Sequence, residues 1–105
     1  MNTEEQTRLV SRLKMRRNEL ADALSELAAD PSRIGATRIQ VNLELAAIDA
    51  ALARFDRGTF GACCRCELDI ETDRLRAEPS TPFCSDCLEE VLDERRRLGY
   101  RVRAA

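Results

Sequence analysis

Between Thr3 and Ala29 the apolar positions Leu9, Leu13, Leu20, Leu24 and Leu27 recur at steps of three, four or their sums. Arg12, Lys14, Arg16, Arg17, Glu19, Asp22 and Glu26 lie between them. This spacing puts a narrow apolar stripe on one side of a helix and a solvated face on the other. The stretch contains no Pro or Gly and is rich in Ala, Leu, Glu and Arg, which favour helix. At 1.5 Å per residue it would be roughly 40 Å long, too long and thin-striped for a compact core, and it predicts one arm of a coiled coil. Residues 36–57 resume the pattern with two stripes. Val41, Leu45, Ile48, Leu52 and Phe55 follow 4, 3, 4, 3 spacing. Ala36, Ile39, Leu43, Ala46, Ala50 and Ala53 lie roughly opposite. The bulky stripe buries more area and is the expected seam. The Ala-rich stripe reads either as an exposed face built from good helix formers or as a surface for self-association or a partner helix.

Asp30-Pro31-Ser32-Arg33-Ile34-Gly35 interrupts the two helical patterns. Pro31 disfavours helix at Asp30, while Asp-Pro suits the cap and first turn of a following helix. Gly35 can supply the backbone angle of a tight connection. The segment is the expected turn of an antiparallel helical hairpin. Gly58 is placed to cap the second helix at its C-terminal end.

The cysteines then change the picture. Cys63-Cys64-Arg65-Cys66 and Cys84-Ser85-Asp86-Cys87 form two Cys-x-x-Cys pairs on one short segment. Each pair makes a knuckle that aims two sulfurs at one ion, and two knuckles complete a tetrahedron with Zn–S near ~2.3 Å. Cys63, Cys66, Cys84 and Cys87 are therefore the expected ligands of one structural Zn²⁺. Four thiolates leave no open coordination position for water, so catalytic zinc is not expected. Cys64 is the spare thiol. It is either a small side chain at a knuckle position or a redox-active group that exchanges with a ligand on oxidation. Between the pairs, Leu68, Ile70, Leu75 and the Arg74/Arg76 alternation predict a short β-hairpin. After them, Asp86 to Leu98 predicts an amphipathic helix with Leu88, Val91, Leu92 and Leu98 inward, closed by Gly99. Tyr100–Ala105 reads as a loose tail. Arg95-Arg96-Arg97 reads as a solvated helix end, with a contact to an acidic groove or phosphorylated nucleotide as the alternative.

The expected fold class is thus mainly α, an antiparallel helical hairpin (coiled coil) over residues 1–57 with its tip near 30–35. A small four-cysteine zinc-finger module with a C-terminal helix follows over 58–99, then the tail 100–105.

Composition narrows the function. With 105 residues and 4% aromatics, a large core is not expected, and a metal makes sense in so small a module. The net charge is −2; residues 1–57 carry nine basic and nine acidic side chains, and the remainder eight and ten. Neither half offers the cationic footprint of a protein that clamps phosphates, so direct sequence-specific nucleic-acid binding is disfavoured. The chain has no His, which removes the usual general base, and no phosphate-cradling Gly loop. An enzyme is not expected. The polar, acidic start Met1-Asn2-Thr3-Glu4-Glu5-Gln6 resembles no secretory signal, and no apolar run is long enough to span a membrane. Paired cysteines in such a chain favour metal over disulfide and point to a cytoplasmic protein.

The run from Ala51-Leu52 through Phe60-Gly61-Ala62-Cys63-x-x-Cys66, Ile70, Arg74-Leu75-x-Ala77-x-Pro79 and Cys84-x-x-Cys87 resembles the DksA/TraR family of C4 zinc-finger proteins. The flanking hairpin and C-terminal helix agree with it in order. The resemblance implies a cytoplasmic bacterial transcription regulator that does not bind DNA and enters the secondary channel of RNA polymerase. In that family the coiled-coil tip approaches the catalytic magnesium, often in concert with the alarmone ppGpp. It assigns partner binding to Asp30, Pro31, Ser32, Arg33, Ile34 and Gly35. The family's tip pattern is Asp-x-x-Asp-x-Ala; here Asp30 is kept, Arg33 stands at the second Asp and Gly35 at the Ala. An Arg lacks the attraction for magnesium that an Asp supplies. Glu67 stands where a Gly commonly follows the second cysteine. The alternative function is a redox- or zinc-responsive interaction module without polymerase activity, motivated by Cys64 and the altered tip. A monomer is favoured over an oligomer.

Overall fold

The computed structural model describes residues 1–29 and 36–99. Four helices follow one another: α1 Thr3–Ala29, α2 Ala36–Asp56, α3 Thr72–Ala77 and α4 Ser85–Arg97. α1 and α2 pack against each other as the hairpin. The connection 30–35, expected to form the tip, lies outside the described residues.

The seam forms where the periodicity put it. Leu9, Leu13 and Leu20 of α1 and Ile48 of α2 are buried, and Val41, Leu45, Leu52 and Phe55 pack against them. Burying such side chains supplies about 1.5–3 kcal/mol each, which outweighs the weak ion pairs on the rim. Those rim pairs still fix register. Arg16 donates from Nε and Nη2 to the two carboxylate oxygens of Glu44 at 2.8 and 3.0 Å, and Arg17 Nε donates to Asp49 at 2.6 Å. Of the Ala-rich stripe, Ile39 and Leu43 are 60% and 66% exposed. That face is open on this chain, as both of its readings require.

α2 ends in a Schellman motif. Gly58 adopts φ +76°, its N–H donates to the Phe55 carbonyl at 3.0 Å, and Thr59 N–H donates to the Arg54 carbonyl at 2.8 Å. The chain then turns into the cysteine-bearing half. Phe60, Ile70 and Leu75 of this half join Leu9, Val10 and Ala51 of the hairpin in one buried cluster, with Phe60 meeting Phe55 edge to face.

Two expectations are corrected here. The β-hairpin between the cysteine pairs does not form. Among the described residues there is only an isolated antiparallel bridge, Ala62 to Asp69, and residues 72–77 are helical. Over so short a span, two arginines flanking one leucine fit a single helical turn as well as a strand. Asp73 and Arg76, one turn apart and 3.7 Å between charged groups, favour the helix. Leu75 is buried as expected, but Leu68 is exposed on the knuckle turn. The second correction is Leu98. α4 ends at Arg97, Gly99 follows at φ +81°, and Leu98 is 74% exposed. Leu88, Val91 and Leu92 do face inward and are half-buried.

Candidate metal centre

The first knuckle is a tight turn closed by its own backbone. Glu67 N–H donates to the Cys63 carbonyl at 3.0 Å, Cys63 N–H to Leu68 at 2.8 Å, and Ile70 N–H to Gly61 at 2.8 Å. The turn needs a residue in the left-handed region, and Glu67 occupies it at φ +66°. This explains why a Gly is natural at that position, since any side chain there meets the carbonyl oxygen that follows it. Glu67→Gly is accordingly expected to stabilise the zinc-loaded protein by about 1 kcal/mol, read as a raised urea midpoint at unchanged slope. A midpoint that stays put or falls would show that the Glu67 side chain compensates its own strain.

The second knuckle coincides with the start of α4. Cys84 is the cap residue, extended at φ −68° and ψ 167°, and its sulfur accepts from the Cys87 N–H at 3.5 Å. Glu71, just ahead of α3, reaches across and accepts from the Ser85 N–H at 3.1 Å with both oxygens and from the Ser85 hydroxyl. A carboxylate is favoured at a helix N-terminus, and these bonds hold Glu71 below the usual carboxylate range. Arg74 of α3 donates to the Thr81 hydroxyl and the Phe83 carbonyl at 3.1 and 3.2 Å. Cys64 N–H donates to the Pro82 carbonyl at 2.8 Å, joining the first knuckle to the approach of the second. Arg65 reaches Glu94, and Glu90 at 3.6 Å, tying the first knuckle to α4.

These contacts bring Cys63, Cys66, Cys84 and Cys87 together, with all four sulfurs within 4.8 Å of one another. Cys66 and Cys84 sulfurs are 3.9 Å apart. A tetrahedral ion with arms of about 2.3 Å has edges of about 3.8 Å, so the spacing suits one Zn²⁺. Cys63, Cys84 and Cys87 are buried and Cys66 is the most open of the four. The donors also lack an internal way to share charge. Burial opposes ionisation of Cys63, yet the N–H groups of Cys66, Cys84 and Arg65 outweigh it and bring its thiol down to about 6. Cys87 is pushed well up, by burial first and then by the neighbouring sulfurs. Four sulfurs this close cannot all become thiolates without a cation among them, and a dication resolves that conflict. When bound, zinc would supply a tetrahedral crosslink between the knuckles. Cys64 points elsewhere: it is exposed and outside the cluster.

Arg54, Arg65 and Glu71 were not singled out from sequence, and Arg74 only within the strand pattern and the family motif. Their partners lie in other elements, at separations that no helical or strand period connects. The predicted tip residues Asp30, Pro31, Ser32, Arg33, Ile34 and Gly35 lie outside the described residues. Arg95, Arg96 and Arg97 are exposed in the last turn of α4, in keeping with a solvated helix end.

Hairpin and site together define a class: helical-hairpin proteins with a four-cysteine finger at the root. No family model matches the chain. Solved structures do. The DnaK suppressor protein from Agrobacterium tumefaciens C58 is 34% identical, with 86% of this chain and 94% of that one covered at a TM-score of 0.65. This chain belongs to the DksA/TraR family. The same fold appears in the transcription factor DksA2 from Pseudomonas aeruginosa, with TM-score 0.74, 24% identity, and 91% and 89% of the two chains covered. It also appears in the RNA polymerase binding protein and transcriptional regulator Dks from Chlamydia trachomatis L2, with TM-score 0.68, 19% identity, and 90% and 94% covered. An uncharacterized protein of Aquifex aeolicus (strain VF5) is 45% identical over 53 residues, which span 48% of this chain and 37% of that protein.

Proposed function

We propose that this chain is a bacterial transcription regulator that binds RNA polymerase through the secondary channel. A single structural Zn²⁺ on Cys63, Cys66, Cys84 and Cys87 would hold the hairpin at its root. The observation that carries this reading is the joint presence of the hairpin and the four-sulfur cluster in a chain 34% identical to a DnaK suppressor protein over 94% of its length. The hairpin tip, residues 30–35, is the partner-binding element, and ppGpp is a candidate co-regulator. The chain acts by contact with the polymerase, in the cytoplasm, and has no catalytic residues of its own. No helix among the described residues is long and apolar enough to cross a membrane.

The test is a pull-down with core RNA polymerase and a purified transcription assay. Wild type, Asp30→Asn and Arg33→Asp are compared, all zinc-loaded. Wild type should be retained on the polymerase and shorten open-complex lifetime. Asp30→Asn should weaken that effect, and Arg33→Asp should strengthen it by restoring the attraction for magnesium. Unchanged lifetimes at micromolar wild-type protein would remove the reading. A second reading, a redox- or zinc-responsive interaction module, is favoured by one observation, the exposure of Cys64 beside the cluster. Mild peroxide that neither releases zinc nor alters the far-ultraviolet circular dichroism would exclude it.

A further inference from the structure

The hairpin and the cysteine-bearing half meet at an apolar junction of Leu9, Val10, Ala51, Phe60, Ile70 and Leu75. Apolar burial is non-directional, so this junction joins the two parts without fixing the angle between them. Directional contacts must set it, and they are found on both helices of the hairpin. On α1, Glu5 accepts from Arg76 Nε at 2.6 Å, and Arg12 Nη1 donates to the Arg76 carbonyl at 2.9 Å. On α2, Arg54 Nη2 donates to the Ser80 carbonyl at 3.2 Å. Arg76 and Ser80 belong to one segment, α3 and the loop after it. Through Glu71 and Arg74 that same segment is fastened to Ser85, Thr81 and Phe83, and so to the second cysteine pair.

Arg54 is the informative member. It is only 8% exposed, and burying a guanidinium costs desolvation that an apolar side chain of similar volume avoids. Stability alone therefore does not account for it. What it adds is a bond of defined direction between α2 and the segment that carries the metal ligands.

We infer that Arg54 and Arg76 are positioning residues: by gripping α2 and α1 through one segment, they set the direction in which the hairpin leaves the metal centre. One contact would leave rotation about the apolar junction free, and two on different helices remove it. The inference does not depend on polymerase being the partner.

Residual dipolar couplings, measured by nuclear magnetic resonance on the full zinc-loaded chain, test it. Hairpin amides (Leu9–Leu20 and Leu45–Leu52) and module amides (Cys63–Ile70 and Leu88–Leu92) in wild type should fit one alignment tensor. In the Arg54→Met/Arg76→Met double variant, zinc stoichiometry and helix content should persist. The two sets should then require different tensors, with module couplings reduced at least twofold. A single shared tensor in the double variant would overturn the inference, as would a lower thermal midpoint without any split. Should the double variant fail to hold zinc, Arg12→Met/Arg76→Met, which removes both α1 contacts and leaves the buried Arg54 in place, decides on the same criterion. There a partial split supports the inference and a single wild-type tensor overturns it. Loss of polymerase binding with an unchanged wild-type tensor would strike the functional proposal instead.

Discussion

Removing the zinc proposed for the cysteine cluster, with a chelator or by Cys84→Ser, is expected to unfold the second half of the chain. This half holds little apolar surface of its own. Its buried side chains apart from the cysteines include Phe60, Ile70 and Leu75, and these are shared with the hairpin. Structural zinc in small fingers contributes on the order of 10–16 kcal/mol, as much as the whole stability of an ordinary domain. α3 and α4 have 6 and 13 residues, too short to persist as isolated helices in water. α4 is started by Cys84 itself, whose sulfur accepts from Cys87 N–H, so loss of the ion also removes the order of the capping residue. The helical circular dichroism signal should fall by roughly a quarter, the share of α3 and α4, with more lost if the hairpin frays. The metal-free thiols should become fully reactive to a thiol reagent, whereas in the loaded protein only Cys64 reacts quickly. A metal-free protein with unchanged dichroism and one reactive thiol would show that the cluster folds without its ion. Cys64→Ser is the control: it should leave zinc stoichiometry and dichroism unchanged, because Cys64 lies outside the cluster.

The parts of this molecule that were legible in the sequence are those encoded by short-range periodicity or fixed spacing. The seam positions from Val41 to Phe55 follow from helical repeat alone, and Gly58 marks the end of α2 because its conformation needs a residue without Cβ. The two Cys-x-x-Cys pairs are legible for a similar reason, since the knuckle turn itself dictates their spacing. The segment between the pairs reads as a strand because a run as short as Arg74-Leu75-Arg76 is too brief to separate the period of a strand from that of a helical turn. Its true conformation is decided by contacts distant in sequence, such as Arg76 with Glu5 and Glu71 with Ser85. Arg54 was invisible for the opposite reason. By its neighbours it is one more solvated arginine on a charged helix, and only the return of the chain at Ser80 buries it. Leu98 shows the limit of periodicity at an end: its spacing is right, but α4 stops before it.

The largest single-residue effect in the hairpin is expected at Ile48. Its side chain is 2% exposed, in the buried cluster that also holds Leu13 and Leu20, so Ile48→Ala removes buried surface and leaves a cavity in that cluster. Such truncations cost 2–5 kcal/mol, with the upper part of the range where neighbours cannot collapse. Two helices have few neighbours to move inward, and each is already fixed in register by Arg16–Glu44 and Arg17–Asp49. A cost near 3–4 kcal/mol is therefore expected, a large part of the stability of a domain this size. Leu43→Ala is the comparison, in the same helix but 66% exposed on the Ala-rich face. Replacing that leucine changes little buried area and keeps a good helix former, so its effect should stay within about 0.5 kcal/mol. Urea unfolding of both zinc-loaded variants measures the contrast. Equal costs would mean that the Leu43 face is covered in solution, which sedimentation of the wild-type protein would then register as an oligomer. A small cost at Ile48 would place the seam elsewhere on α2 and remove the basis on which the hairpin was read.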